Sequence, residues 1–273
     1  MCYSQAMVSK LWIWIASHPR WSAAVVVLIA APAIAYGALA WKTSLRSDRL
    51  ASVDRLVEQF DQVAFRSERE GDTKQRIQKW TKRVHIGIEG GDTDKWRPVI
   101  ERHMAAIANL AGIDLFPMFL LPVSDENFFI YFVERSKFEA LVIQHFFHPG
   151  KYLENLEDYN CFAAPSLWGH SIDKVVVIIS SDLDDNFISL CVFKVLTHML
   201  GLPNNSELIR PSVFSRWDFY FRRLSINDRI IVRTLYDKRV RVGMHRDEAL
   251  EVARLIITEL VAEAKANEAA RGD

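Results

Sequence analysis

Between Trp21 and Trp41 the chain runs for 21 residues without a charged side chain, WSAAVVVLIAAPAIAYGALAW. A helix rises ~1.5 Å per residue, so such a run reaches about 30 Å, the thickness of the hydrocarbon layer of a bilayer. Trp21, Tyr36 and Trp41 stand where interfacial aromatics stand, and Arg20 and Lys42 bracket the run. A buried globular helix is the bland alternative. A cleaved signal peptide ending in the small residues Gly37 to Ala40 is the stronger one. The preceding segment is long for a signal and carries a second apolar patch, LWIWI at 11–15, which favours an uncleaved signal anchor. Lys10 and Arg20 precede the run while Lys42, Arg46 and Arg49 follow it, so the positive-inside rule leaves the orientation open.

The expected organisation is therefore an anchor over 1–47, with its transmembrane helix at about 21–41, followed by soluble segments. Leu50, Val53, Leu56, Val57, Phe60 and Ala64 recur at helical spacing among charges, which predicts an amphipathic stalk or linker over 48–79. From about residue 80 the pattern is that of one α+β domain reaching 266. Val84, Ile86 and Ile88 alternate with Arg83, His85 and Gly87 as in a half-buried strand. A helix is expected over 93–111 with Asp92 or Thr93 as its N-cap, then a strand at FFIYFV (128–133) and a short helix stopped at Pro149-Gly150. The β-branched run VVVIIS (175–180) is the strongest strand signal in the chain. Asp184 or Asp185 caps a helix that Gly201 and Pro203 stop, Ser225 and Asp228 form a capping box, and a last helix runs from about 246 to 266. Residues 267–273 read as a disordered tail.

Lys and Arg number 34, as do Asp and Glu, and no basic stripe is present, which argues against a nucleic-acid partner. Cys161 and Cys191 are the two cysteines after the apolar run. They could form a disulfide, which persists only in an oxidising compartment such as the periplasm, or remain two buried thiols. No glycine-rich phosphate loop occurs, and Gly90-Gly91 reads as a turn. Ser212 and Ser215 have no recognisable His/Asp companions for nucleophilic catalysis.

The stretch FKVLTHMLGLPNNSE (193–207) has the outline of a zinc-protease helix. The long zinc motif needs histidines at i and i+4 on one helix face, a glutamate beside the first as general base, and a glycine turn that brings back a third histidine. With His198 as the second ligand, Lys194 takes the first ligand position, Val195 that of the base, Gly201 the turn and Asn204 the third ligand. A lysine is protonated at neutral pH, valine cannot move a proton, and one imidazole does not hold zinc. Neither catalytic residues nor a cofactor are therefore expected. His198 and His245 are the weak metal candidates, and His145 with His148, spaced i,i+3 among aromatics, are weaker still.

The residues from Cys191 to Met244, above all CVFKVLTHMLGLPNNSELIRPSVFS and INDRIIVRTLYDKRVRVGM, resemble the bacterial family called domain of unknown function 2927, which is itself similar to a metzincin protease with a decayed metal helix. Members usually carry a cysteine, an acidic pair and a glutamine before LGL. Cys191 and LGL match here, while Lys194 and Val195 replace the acidic pair and His198 the glutamine. The resemblance implies that TLYDKRVRVGM is the helix end and methionine turn beneath the metal position, with Met244 in the turn. It also implies a disulfide between Cys161 and Cys191. Taken together, these readings give the expectation of a single-pass inner-membrane protein whose periplasmic, degenerate metzincin-like domain binds an envelope protein, peptide or other envelope component. A hydrolase rearranged around His198, and an envelope scaffold oligomerising through the stalk, are the competing expectations.

Overall fold

The computed structural model describes residues 48–66, 75–113, 115–117, 126–154, 156, 159–218 and 223–272. A boundary follows Ser47, and the expected span at 21–41 lies outside the described residues. Among the described residues no helix is long and apolar enough to cross a membrane.

Helix α1 (Val53–Phe65) leads into strands β1 (Lys79–Trp80) and β2 (Val84–Gly90), helix α2 (Thr93–Ala111), and strands β3 (Leu115–Pro117) and β4 (Phe128–Val133). Helices α3 (Phe138–His145) and α4 (Gly150–Leu153) precede the hairpin of β5 (Cys161–Trp168) and β6 (Ser171–Ser180). Three helices close the chain, α5 (Asp185–His198), α6 (Ile226–Tyr236) and α7 (Arg246–Gly272). The six-stranded sheet has the order β1-β6-β4-β2-β3, all pairs parallel, with β5 added antiparallel to β6. The expected α+β class holds, with a sheet that is mostly parallel.

The apolar runs in β4 and β6 follow from burial on both sheet faces, the usual condition of a parallel strand. Side chains alternate across each strand, so one run supplies two cores. Phe128, Ile130 and Phe132 with Val175, Val177 and Ile179 face the large core under α1, α2, α5, α6 and α7. Tyr131, Val176 and Ile178 face a smaller core, in which Phe138, Val142 and Phe146 lie beside Phe162 of β5.

The segment expected as a stalk is instead part of the large core. Ser52 caps α1 by accepting from the Arg55 amide, and Leu56, Phe60 and Val63 are fully buried along one stripe, with α7 as the main partner helix. Asp61 accepts two hydrogen bonds of 2.7 Å from the guanidinium of Arg246 at the start of α7. Ahead of α1 the chain is fixed to the start of α6, where Asn227 bonds both the Ala51 amide and the Arg49 carbonyl at 2.9 Å. The apolar positions repeat every three or four residues in a stalk and in a core helix alike, which is why the pattern did not separate them.

Three other expectations change. Residues 267–272 continue α7 as helix rather than trailing as a tail. Asp92 lies in the left-handed region with φ 56° and makes no side-chain cap, so α2 begins without one. The strands β1, β3 and β5 were not expected, being either very short or, in CFAAPSLW, broken by a proline on an edge strand. The N-cap of α5 is Asp184, which accepts from the amides of Asn186 and Phe187, and the capping box of Ser225 and Asp228 is present.

If α1 is core, Phe60→Ala should lower the unfolding free energy of the full chain by about 3–5 kcal/mol, read as a shift of the urea midpoint. An unchanged midpoint would restore the stalk.

Candidate functional site

Helix α5 leaves the carboxyl end of β6 and runs under the sheet to His198, and its exit is built by close backbone contact. Gly201 has φ +113°, and a Cβ there would stand 2.0 Å from the carbonyl oxygen of Gln78. Both conditions demand glycine. The carbonyls at the helix end find side-chain donors, Trp80 Nε1 to Met199 O at 3.0 Å and Tyr236 Oη to Leu200 O at 2.8 Å. Next to them the buried Lys79 ammonium donates to Leu235 O at 3.0 Å and to Val240 O, closing the end of α6. Burial pulls the Lys79 amine down to about 8, against the raising field of Asp237.

The positions that would hold zinc in a long-motif protease all have other partners. Lys194 Nζ donates to the carbonyl of Ser215. The His198 ring donates from Nδ1 to Leu202 O at 2.7 Å and stands edge-on to Phe214, with ring centres 5.5 Å apart. Asn204 is buried and its Nδ2 donates to Val63 O at 3.2 Å. The loop that follows is fixed over this helix. Ser206 N donates to Phe214 O, Ser212 Oγ to Asp228 Oδ1 at 2.6 Å, and Ser215 Oγ to Glu207 Oε2 at 2.7 Å. Ser212 and Ser215 thus serve the loop, each bound to a carboxylate. Burial pushes the Asp228 carboxyl up to about 6, opposed by its bonds from Ser212, Val213 and Ser225.

Met244 is buried, and its carbonyl accepts from Ile77 N at 2.9 Å, while His245 is exposed and pairs through its backbone with Arg76. His145 lies against Phe129 and Tyr131 with Nδ1 3.1 Å from Lys174 Nζ, whereas His148 is exposed against Phe147. Among the described residues no three of His, Cys, Asp and Glu stand together as a metal site.

The family described as protein of unknown function (DUF2927) matches residues 53–254. The chain belongs to the DUF2927 family. Neither the curated proteins nor the solved structures offer a match to it. The family match begins at α1, in keeping with that helix's place in the core. Within this DUF2927 domain Cys161 and Cys191 form a disulfide, with Cα atoms 6.0 Å apart, that ties β5 to α5.

One arrangement in this DUF2927 domain went unread in the sequence. On the side of α5 away from the Ser215 loop, α2 and α5 face each other across a groove of about 760 Å³. Val99, Arg102, His103, Ala106, Asn109 and Leu110 line it from α2 at helical spacing, and Ser189, Val192 and Phe193 from α5. Leu224, Arg223 and Arg229, ahead of and on α6, close one end. In its floor His103 is buried with its ring 4.1 Å from that of Phe193. The Thr197 hydroxyl donates to Phe193 O, so at 3.0 Å the His103 Nε2–H donates to Thr197 Oγ1. Burial pushes the His103 imidazole down to about 4, and the ring is neutral at physiological pH. The only signal was a second stripe on α2, which looks like an ordinary half-exposed face until α5 is set opposite it.

Two measurements follow from these contacts. Gly201→Ala should cost about 3 kcal/mol or more in urea unfolding, because its Cβ meets backbone and not a flexible side chain. His103 has a folded-state pKa below its ordinary 6.5, so the unfolded chain takes up the proton first. Its contribution is complete above 6.5 and is lost as pH falls towards 4. Between those values wild type should lose about 3 kcal/mol relative to His103→Gln. The opposite trend of Asp228, whose raised carboxyl pKa favours the folded state at low pH, is common to both proteins and cancels in the difference.

Proposed function

We propose that this chain is a membrane-anchored, extracytoplasmic binding protein, whose domain keeps the frame of a metzincin-like protease without its chemistry. The observation that carries this reading is the use made of Lys194, His198 and Asn204. Each of the three ligand-equivalent side chains is bonded to a backbone carbonyl within the fold, and valine stands at the base position. A helix with this exit would retain Gly201 and the Leu235-Tyr236 helix end for structural reasons alone. The Tyr236 bond to Leu200 O, and the methionine turn held by Ile77, support the protease-derived frame.

Anchoring in the inner membrane rests on the uncharged run at 21–41 and its aromatic borders. A periplasmic place for the domain rests on the Cys161–Cys191 disulfide, since such bonds are kept reduced in the cytosol. Binding falls to the groove between α2 and α5, which has the size and the apolar lining of a ligand site. The partner is a component of the envelope.

The test is metal analysis of the purified full chain, together with peptide-cleavage assays of wild type and His198→Ala. Zinc should be well below one equivalent and no cleavage should depend on His198. The substitution should cost only stability, about 1–2 kcal/mol for the lost bond and ring contact. Stoichiometric zinc, or cleavage lost with His198, would overturn the proposal in favour of a rearranged hydrolase.

A further inference from the structure

Resting on the binding reading above, we propose that the groove between α2 and α5 takes a single-chain anionic amphiphile, a carboxylate or phosphate monoester carrying a hydrocarbon tail. The groove is divided by chemistry. Its floor is apolar, with Val192 and Phe193 buried and Val99 and Leu110 partly so. Its rim carries Arg102, Arg223 and Arg229, and among the described residues no carboxylate lines it. Arg223 is held by Asp48 at 2.8 Å. Arg102 and Arg229 are exposed and enter no ion pair among the described residues. A guanidinium prefers a planar or tetrahedral oxyanion that it can grip with two N–H groups. Two such groups beside an apolar floor suit a molecule with one charged end and one apolar end.

The walls also decide against an extended peptide that would add as a strand. Such a peptide needs backbone partners from a sheet edge. Here both walls are α-helices whose backbone groups are bonded internally, and the floor offers few polar atoms. Of these, the His103 Nε2–H is already given to Thr197. A hydrocarbon body makes no such demand. The volume of about 760 Å³ lies within the range of small-molecule sites, roughly 300–1,000 Å³, which favours one chain over a diacyl lipid.

The experiment uses the full chain in phosphatidylcholine nanodiscs, with empty discs subtracted, and isothermal titration with four probes. Dodecanoate and dodecyl phosphate should bind at micromolar concentrations. Dodecyl maltoside, with the same tail and no charge, should bind at least tenfold more weakly, and inorganic phosphate should give no heat. Arg102→Ala/Arg229→Ala should weaken both anionic probes at least tenfold with an unchanged melting temperature, both side chains being exposed. Ala106→Trp, also at an exposed position, should abolish binding by filling the groove. Equal binding of dodecyl maltoside, an unchanged double variant, an acidic hexapeptide that displaces the probes, or discs doped with phosphatidic acid that abolish their binding would each overturn the proposal. The reading beneath it fails separately, by stoichiometric zinc or His198-dependent cleavage, whereas absent amphiphile binding in a zinc-free chain removes only the ligand class.

Discussion

The carboxyl ends of two helices finish against the same two-residue strand. Lys79 and Trp80 of β1 donate to the last carbonyls of α6 and α5, and Gln78 beside them leaves room only for the Cα of Gly201. Helix ends expose carbonyls that must find donors, and in a buried place those donors have to be side chains set at fixed positions. This junction accounts for residues that would otherwise look like an active-site signature. Gly201 is there for a backbone approach, Tyr236 for Leu200 O, and Lys79 for the end of α6. Retaining these residues demands nothing of a metal.

What holds helix α5 in place differs from what zinc chemistry on it would require. Phe193, Leu196 and Leu200 are buried and hold the helix in the core. Lys194 and His198, on the turns between them, reach carbonyls of the segments that follow, at Ser215 and Leu202. A zinc ligand must keep a lone pair pointed at a shared centre, and an ammonium bonded to a carbonyl has none to give. Freeing Lys194 from its carbonyl would mean displacing the Ser215 loop, which the Ser212–Asp228 and Ser215–Glu207 bonds fasten.

Much of this was legible in the residues, for identifiable reasons. The 93–111 helix, the two apolar strands and the capping box at Ser225 depend on local patterns, and they stand where those patterns put them. The disulfide came from the family resemblance, since spacing alone left buried thiols equally open. What stayed hidden depends on partners far along the chain. Leu56, Phe60 and Val63 have the same spacing in a stalk and in a core, and only α7, about two hundred residues later, decides between them. Arg102 and His103 are adjacent in sequence, yet one sits on the groove's rim and the other in its floor. Nothing local marks that division.

Helix α5 joins these elements mechanically. One face lies on the sheet, another receives the Ser215 loop, a third floors the groove, and Cys191 binds it covalently to β5. Such a helix is apolar around most of its circumference, so its burial comes from several neighbours and not from one amphipathic stripe. Val192 and Phe193 directly follow the disulfide cysteine, and His103 meets Phe193 through Thr197. The disulfide at Cys191 thus ties an edge strand of the sheet to the helix that lines the groove. A cross-link of this kind persists where conditions are oxidising, and there it would hold strand and helix together.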